Sequence, residues 1–408
     1  MSQQYTIERL GHQGDGIAEG PVYAPRTLPG EVVSGVLDGS QLTDIRISEP
    51  SDSRVKPICR HYKSCGGCQL QHASDSFVSA WKTDLARKAL AAHGIEAAFR
   101  PIATSPPRSR RRAVLAARRT KSGAMCGFHG RASGVITEIP DCQLLSPEIM
   151  EGLSVAPALA ALGGSRKGVL AVTLTASENG LDVAVSGGKP ADGALELKLA
   201  QLADGHGLAR LAWEGEVIAT RMPPYQSFGA ARVVPPPGAF LQATAHGEAT
   251  LSNAVKEAVA GANRVADLFA GCGTFSLPMA EQAQVHAVEG EASMIRALDQ
   301  GWRGTQGLKR VTAEARDLFR RPLLPDELNR FDAVVLDPPR AGAEAQAAEV
   351  ARSKVEKLAY VSCNPVSFAR DAAVLVGAGF ALDWVQVVDQ FRWSVHTELA
   401  ACFSRFRT

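Results

Sequence analysis

The stretch DLFAGCGTF, residues 267–275, decides how the second half of this chain folds. Asp267 closes an apolar, strand-like run, Gly271 and Gly273 follow, and a helical segment begins after them. Glycines there let the backbone turn sharply and approach a ligand without interference from a Cβ. The same grammar repeats outward. The helical run ATLSNAVKEAVAG precedes the strand RVADLFA, and the apolar runs QVHAVEGE, RVTAEARDL, FDAVVLDPP, KLAYVSC and LDWVQVVDQF come between further helical segments. This alternation predicts an α/β domain with a doubly wound, mostly parallel, Rossmann-like sheet over residues 236–408.

Acids stand where such a sheet binds ligands. Glu289 ends the next strand, where a carboxylate can accept hydrogen bonds from ribose hydroxyls, and Asp317 closes the third. The turn lacks the third glycine of a dinucleotide fingerprint, and no phosphate-cradling GxxxxGK[ST] occurs. A nucleoside cofactor without phosphates fits best, which points to S-adenosylmethionine. Asp337 lies at the end of the fourth strand, fixed by Pro338 and Pro339. Cys363 in YVSCNPVSFARD ends the fifth, followed by Asn364 as a cap and Pro365 as the first residue of a helix. A thiol beside unpaired helical N–H groups is predicted to favour the thiolate, making Cys363 a candidate nucleophile.

The first half reads differently. Residues 1–50 carry short β-prone segments punctuated by glycine and proline, which suggests a small β-barrel. Residues 51–235 form a β-rich central domain, ended by the proline cluster at 233–238. A helix is predicted over 74–94, with Phe77, Trp81, Leu85 and Ala89 on its inner face.

Composition sets bounds on function. With 45% hydrophobic and 21% charged residues the chain has real cores, and its net charge of +2 neither requires nor excludes a nucleic-acid partner. No apolar run reaches the roughly 20 residues of a membrane span, and MSQQYTIERL lacks a signal peptide's regions, so a cytoplasmic protein is expected. Its eight cysteines would stay reduced there. Cys59, Cys65 and Cys68 cluster in CRHYKSCGGCQLQH, and Cys142 in IPDCQLLSP supplies a distant fourth thiol. Spacing alone leaves zinc and an iron–sulfur centre both open. RSRRRAVLAARRTK gathers Arg108, Arg110, Arg111, Arg112, Arg118, Arg119 and Lys121, candidates for RNA phosphates.

FLQAT, DLFAGCGTF, LDPPRAG, VSCNP and HTELAACFSR together resemble the bacterial RNA uracil-5-methyltransferase family. With the cysteine cluster, the resemblance covers nearly the whole chain. It implies methyl transfer from S-adenosylmethionine to uracil C5, with Cys363 adding to C6 and Glu398 removing the C5 proton. His396, read on the same strand face, competes for the proton. Gln242, Phe269, Gly271, Thr274, Glu289, Asp317 and Asp337 would line the cofactor, although Thr274 replaces an asparagine seen in relatives, Asp317 stands where asparagine can occur, and Asp337 can instead position the uracil edge. The cysteine pattern resembles the 23S ribosomal RNA branch, which implies a [4Fe–4S] cluster on Cys59, Cys65, Cys68 and Cys142 in place of zinc. The barrel resembles a TRAM (OB-like) RNA-binding domain through GHQGDGIAE and LPGE. The target uracil must be flipped or looped out to admit the thiolate. A monomer with no membrane partner is expected. The alternatives are a transfer-RNA uridine-5-methyltransferase and an iron–sulfur redox or radical enzyme acting on RNA, though no CxxxCxxC triplet occurs.

Overall fold

The computed structural model describes residues 3–405. Five strands come first: β1 (Gln4–Leu10), β2 (Asp15–Ala18), β3 (Val22–Pro25), β4 (Val32–Asp38) and β5 (Gln41–Glu49). They pair in the order β1-β2-β3-β5-β4, and β1 also pairs with β4, so the sheet closes into a barrel. Closure removes the open edges that short strands would otherwise expose. Ile7, Ala18, Ala24, Val33 and Leu42 fill the interior. Asp15 accepts two hydrogen bonds of 2.6 Å from Arg131, which fastens the barrel to the rest of the chain.

Helix α1 (Asp75–Ala91) starts where the side chain of Ser74 accepts a hydrogen bond from Phe77 N at 3.3 Å. Its buried stripe is Val78, Lys82, Ala86 and Leu90. The expected face, Phe77, Trp81, Leu85 and Ala89, is therefore one residue out of register. Phe77 and Trp81 pack only partly, in a side cluster with Leu28 and Leu70. The rotation has a physical cause, since Lys82 finds three oxygen partners inside the molecule. After α1, β6 (Ala103–Thr104) runs to the edge of the second large sheet.

The central layer contains β7 (Arg112–Arg119), β8 (Ala124–His129), β9 (Ile136–Thr137), α2 (Pro147–Glu151), α3 (Val155–Gly163), β10 (Leu170–Ser177), β11 (Gly180–Ser186), α4 (Gly193–Gly205), β12 (Arg210–Trp213) and β13 (Glu216–Thr220). Its strands order as β13-β12-β11-β10-β7-β8-β9. Alternate residues of β7 and β10 (Ala113, Leu115 and Ala117; Leu170, Val172 and Leu174) point into a core shared with Val155, Leu159 and Leu199 of α3 and α4. The hairpin β14 (Gln226–Phe228) and β15 (Ala231–Val233) packs elsewhere, its Phe228 and Val233 sharing a core with Cys272 and Leu277.

The remaining elements are α5 (Ala245–Ala258), β16 (Arg264–Leu268), α6 (Ser276–Met279), β17 (Gln284–Glu289), α7 (Ala292–Arg303), β18 (Val311–Ala315), α8 (Pro325–Leu328), β19 (Ala333–Leu336), α9 (Glu344–Arg352), β20 (Lys357–Ser362), α10 (Pro365–Gly377), β21 (Ala381–Asp389) and β22 (Glu398–Ser404). Their sheet runs β18-β17-β16-β19-β20-β22-β21-β6. β16 to β20 are parallel and β22 is antiparallel to both its neighbours. This is the α/β architecture that the alternating sequence predicts, with a separate hydrophobic layer on each face. Strand order reverses between β16 and β19, so a crevice opens beyond their carboxyl ends. Among the described residues, no helix is long and apolar enough to cross a membrane.

Candidate active site and thiol cavity

The turn after β16 is built as its sequence requires. Gly271 and Gly273 have φ of +56° and +94°, and Phe269, without glycine's freedom, is held at +66°. A Cβ on Gly273 would stand 2.9 Å from Leu298 Cγ, whereas one on Gly271 would meet nothing closer than Met294 Sδ at 3.9 Å. The turn is thus pinned from behind at one glycine and open at the other. Glu289 receives N–H donors on both oxygens, from Gly271 at 3.1 Å and Glu291 at 3.0 Å. These bonds hold the carboxylate beside the open turn, with lone pairs left for a ribose diol. Beneath it Asp267 Oδ2 accepts from Ser276 Oγ at 2.5 Å, while the buried Oδ1 has no partner among the described residues. Burial raises Asp267 to about 7. Asp317 lies two residues past β18 and is drawn into its own loop. Its Oδ1 accepts from Phe319 N at 3.0 Å and Arg320 N at 3.3 Å, and Oδ2 faces Arg320 Nε at 3.5 Å. The ring of Phe319, next in that loop, stands 5.5 Å from that of Phe269. Thr274 lies half-buried in the turn.

Strand register assembles the second part of the site. Leu336 pairs with Tyr360, and Ser362 pairs with Leu399. Asp337, one residue past β19, Cys363, one residue past β20, and Glu398, the first residue of β22, therefore meet at one sheet end. Glu398 is only 3% exposed, and burial pushes it up to about 7. Asp337 is pushed well above the usual carboxylate range by burial, then by the charges of Glu398, Asp267 and Glu289.

Cys363 differs from expectation. Asn364 caps α10 as predicted, accepting from Val366 N at 3.1 Å. Yet burial, then Glu398 and Asp337, push the thiol up to about 11, and Arg340 offsets this only in part. The helix terminus does not produce a thiolate in the free protein, because desolvation and two carboxylates outweigh it. A cation entering the site is what would lower it.

The loop between β21 and β22 also departs from the prediction. His396 is not on the strand with Glu398. It occupies a loop position, its ring edge-on to Phe391 with centroids 5.8 Å apart, and partial desolvation of the imidazole by its neighbours, followed by the charges of Arg340, Lys82 and Arg110, lowers its pKa. Lys82, fully buried on α1, closes this loop by donating to Asp389 Oδ1 at 2.6 Å, Phe391 O at 3.2 Å and His396 O at 2.9 Å. Both ends of the loop are thereby tied to one side chain. Gln390 follows Asp389 and contacts both Gln242 and Glu398. Neither Lys82 nor Gln390 belongs to a sequence motif. The one available signal was a lysine in the i, i+4 row of Val78, Ala86 and Leu90.

The cysteine cluster folds as a unit. Cys59, Cys65, Cys68 and Cys142 line one small cavity with Tyr62 and Phe128. Gly66 allows this loop to dock, donating to His129 O at 2.9 Å where a Cβ would stand 2.7 Å from the same oxygen. Burial raises Cys65 and Cys142 and pushes Cys68 up to about 12, each thiolate opposing the others. Among the described residues, no group of three or more His, Cys, Asp or Glu side chains is disposed to hold a metal ion.

Four of the arginines named as RNA contacts make internal hydrogen bonds, Arg108 donating to Gln143 Oε1 at 2.9 Å and Arg110 to Arg112 O at 3.1 Å. Arg111 pairs with Glu248 and donates to Gln242 O at 3.2 Å. Arg112 donates to Ala239 O at 3.0 Å and Gly238 O at 2.9 Å. Arg111 and Arg112 fasten β7 to the 238–248 segment, and so help to place Gln242.

A doubly wound sheet whose glycine turn opens beside an acid at the next strand end is a nucleoside-cofactor site of the kind that class I, S-adenosylmethionine-dependent methyltransferases use. The chain as a whole is similar to known proteins of that class. A tRNA (uracil-5-)-methyltransferase family profile matches residues 303–405. An RNA methyltransferase of Brucella suis is 45% identical over 99% of this chain and 98% of its own length. The 23S rRNA (uracil(1939)-C(5))-methyltransferase RlmD of Shewanella piezotolerans is 32% identical over 97% of this chain and 94% of its own. The crystal structure of a Pyrococcus abyssi tRNA (uracil-54, C5)-methyltransferase, in complex with S-adenosyl-L-homocysteine, superposes with a TM-score of 0.76 at 21% identity, covering 98% of this chain and 99% of that one. The chain belongs to the RNA (uracil-5-)-methyltransferase family.

Proposed function

We propose that this protein methylates C5 of a specific uridine in 23S ribosomal RNA through a covalent adduct between Cys363 and uracil C6. The observation that carries this reading is the meeting of Cys363, Asp337 and Glu398 at adjoining strand ends. Ribosomal RNA is favoured because likeness to the 23S rRNA enzyme extends over nearly the whole chain and the four cysteines converge. Gln242, Phe269, Gly271, Thr274 and Glu289 hold the cofactor, with Asp317 at its rim. When bound, S-adenosylmethionine supplies the electrophilic methyl group on a positively charged sulfonium.

Uracil C5 is a poor nucleophile until a thiolate adds at C6. The thiol's proton passes to solvent as the bound cofactor's positive charge favours the thiolate. Cys363 then makes that bond while the C5=C6 electrons shift toward O4, to which the raised pKa of Asp337 suits it to donate a hydrogen bond. Once C5 carries the methyl group, Glu398 takes its proton. The C–S electrons leave with sulfur, and the Cys363 thiolate returns. A carboxylate near pH 7 is suited to that task.

The same reading assigns residues 1–50 to a TRAM-like RNA-binding barrel, 51–235 to the central domain and 236–408 to the methyltransferase domain of a cytoplasmic monomer. Cys59, Cys65, Cys68 and Cys142 hold a [4Fe–4S] cluster. The convergence of four soft sulfur ligands on one cavity supports a metal centre there, and the likeness to the 23S rRNA enzyme favours the cluster over zinc. In an iron–sulfur cluster each thiolate takes its own iron. Mass-spectrometric mapping of 5-methyluridine in RNA from cells with and without the gene tests the proposal. A 23S position should lose its methyl group and regain it with wild-type protein but not with Cys363→Ala. Loss confined to transfer RNA would overturn the substrate assignment.

A further inference from the structure

Gln390 lies just past β21, is 1% exposed, and uses every strong hydrogen-bonding group of its amide. Its Oε1 accepts from Ala243 N at 2.8 Å. A backbone N–H can only donate, so this contact fixes which end of the amide is oxygen. The NH2 group then faces Gln242 Oε1 at 2.5 Å and Glu398 Oε2 at 3.2 Å. Two consequences follow from donor and acceptor roles alone. Gln242 has its oxygen committed, which leaves its own NH2 to donate to a ligand. Glu398 Oε2 must accept, a bond that is stronger to the carboxylate than to the neutral acid and so favours the ionised form. Gly247, in the first turn of α5, makes the packing possible, since a Cβ there would stand 2.7 Å from Gln390 Cβ.

We propose that Gln390 is a positioning residue that keeps Glu398 in its proton-accepting form and aligns it with Gln242, so that one amide sets both the base and a cofactor contact. The inference rests on Glu398 being the base. The groups around Glu398 leave Gln390 as its counterweight to burial. Asp337 from β19 and Cys363 from β20 face it, and Asp267 and Glu289 act on Asp337. Lys82 is held by Asp389, and His396 lies on the loop outside. Burial raises Glu398 and the bond from Gln390 lowers it. Without that donor the carboxylate should take up its proton at higher pH.

The test uses the full-length protein with its RNA and cofactor, in the variants Gln390→Met, Gln390→Glu and Gly247→Ala, the last displacing Gln390 without changing it. Single-turnover product release is followed against pH, the covalent protein–RNA adduct by denaturing gel, cofactor affinity by calorimetry and folding by thermal melting. Release should need higher pH, by about one unit in Gln390→Met and more in Gln390→Glu, whose new carboxylate repels the base. At pH 7 the adduct should accumulate about tenfold over wild type and disappear as the pH is raised. Gly247→Ala should shift the same way. A mere packing role would lower the melting temperature and leave the pH profile in place. An unmoved profile in any folded, cofactor-binding variant therefore overturns the proposal. Glu398→Gln is the separate control. Free methylated product from it would refute Glu398 as base, and the role of Gln390 with it, whatever the Gln390 variants do.

Discussion

The same side chain is used in two electrostatic settings. Cys363 stands among carboxylates, with Arg340 as the nearby cation that lowers it. The four clustered cysteines have chiefly one another for company, and Arg110 lies close enough to feel the charge on Cys68 and Cys142. Burial raises the pKa of Cys363 and of Cys65, Cys68 and Cys142 alike. What separates them is the cation each site is shaped to receive. Around Cys363 the carboxylates favour one transient positive charge and can take up protons when it leaves. The cavity offers four sulfur ligands that become soft thiolates on metal binding, and no internal base, which suits a resident metal centre. The proposed roles, turnover for one thiol and structure or RNA docking for the other four, follow that difference.

Substitution of the reactive thiol should break this comparison most severely. Cys363→Ala should lower methyl transfer by at least about 10⁴-fold, because the covalent route is removed, while calorimetric cofactor affinity stays within about twofold. Turnover at a normal rate would show that Cys363 is no different from the other buried thiols. Glu398→Gln comes next. The methyl group should be transferred and the RNA retained as a stable adduct on a denaturing gel, since the C5 proton has nowhere to go. On the other side of the comparison, Cys68→Ser should remove iron, sulfide and visible absorbance together, yet leave methyl transfer on a short, unstructured RNA within about tenfold of wild type. A loss as deep as that of Cys363→Ala, in a folded protein, would put the cluster in the chemistry.

Much of this contrast can be read in the sequence, and the unread parts share a cause. Alternating apolar runs identify the sheet, and acids or thiols immediately after such runs identify Glu289, Asp337 and Cys363, because topology places every parallel strand's carboxyl end on one side. The CRHYKSCGGC spacing marks three of the clustered thiols, and Cys142 as the fourth rests on the family resemblance. Lys82, Gln390 and Arg111 are different. Each looks like a solvated polar residue, and each is ordered by a partner more than 100 positions away: Asp389, Ala243 and Glu248 respectively. Local periodicity carries no information about such pairings. It placed Phe77 and Trp81 on the inner face of α1 because a lysine ordinarily faces solvent. The pKa of Cys363 fails for a related reason. The helix cap is local and visible, whereas the carboxylates that outweigh it arrive from two other strands.

The smallest expected effect is on stability, and it separates the sites by sign of pH dependence. Glu398 binds its proton more tightly in the folded protein than in the unfolded chain, with a folded pKa of about 7 against an ordinary 4.5. Between those values the native state holds the extra proton, so the contribution of Glu398 to stability is fully present below about pH 4.5 and is lost as pH rises through 7. Glu398→Gln keeps the shape and removes the titration. It should melt higher than wild type above pH 7, by an amount equivalent to about 2 kcal/mol, and its melting temperature should fall less between pH 5 and pH 8. Loss of activity together with gain of stability is expected where a buried charge is kept for its chemistry. Cys142→Ser should do the reverse for the assembled protein, with a lower melting temperature at every pH, because a ligand that binds only the folded state is lost. If Glu398→Gln instead destabilises at pH 8, its carboxylate is held by more than Gln390, and the crowding of negative charge that distinguishes Cys363 from the other four cysteines is weaker than its geometry implies.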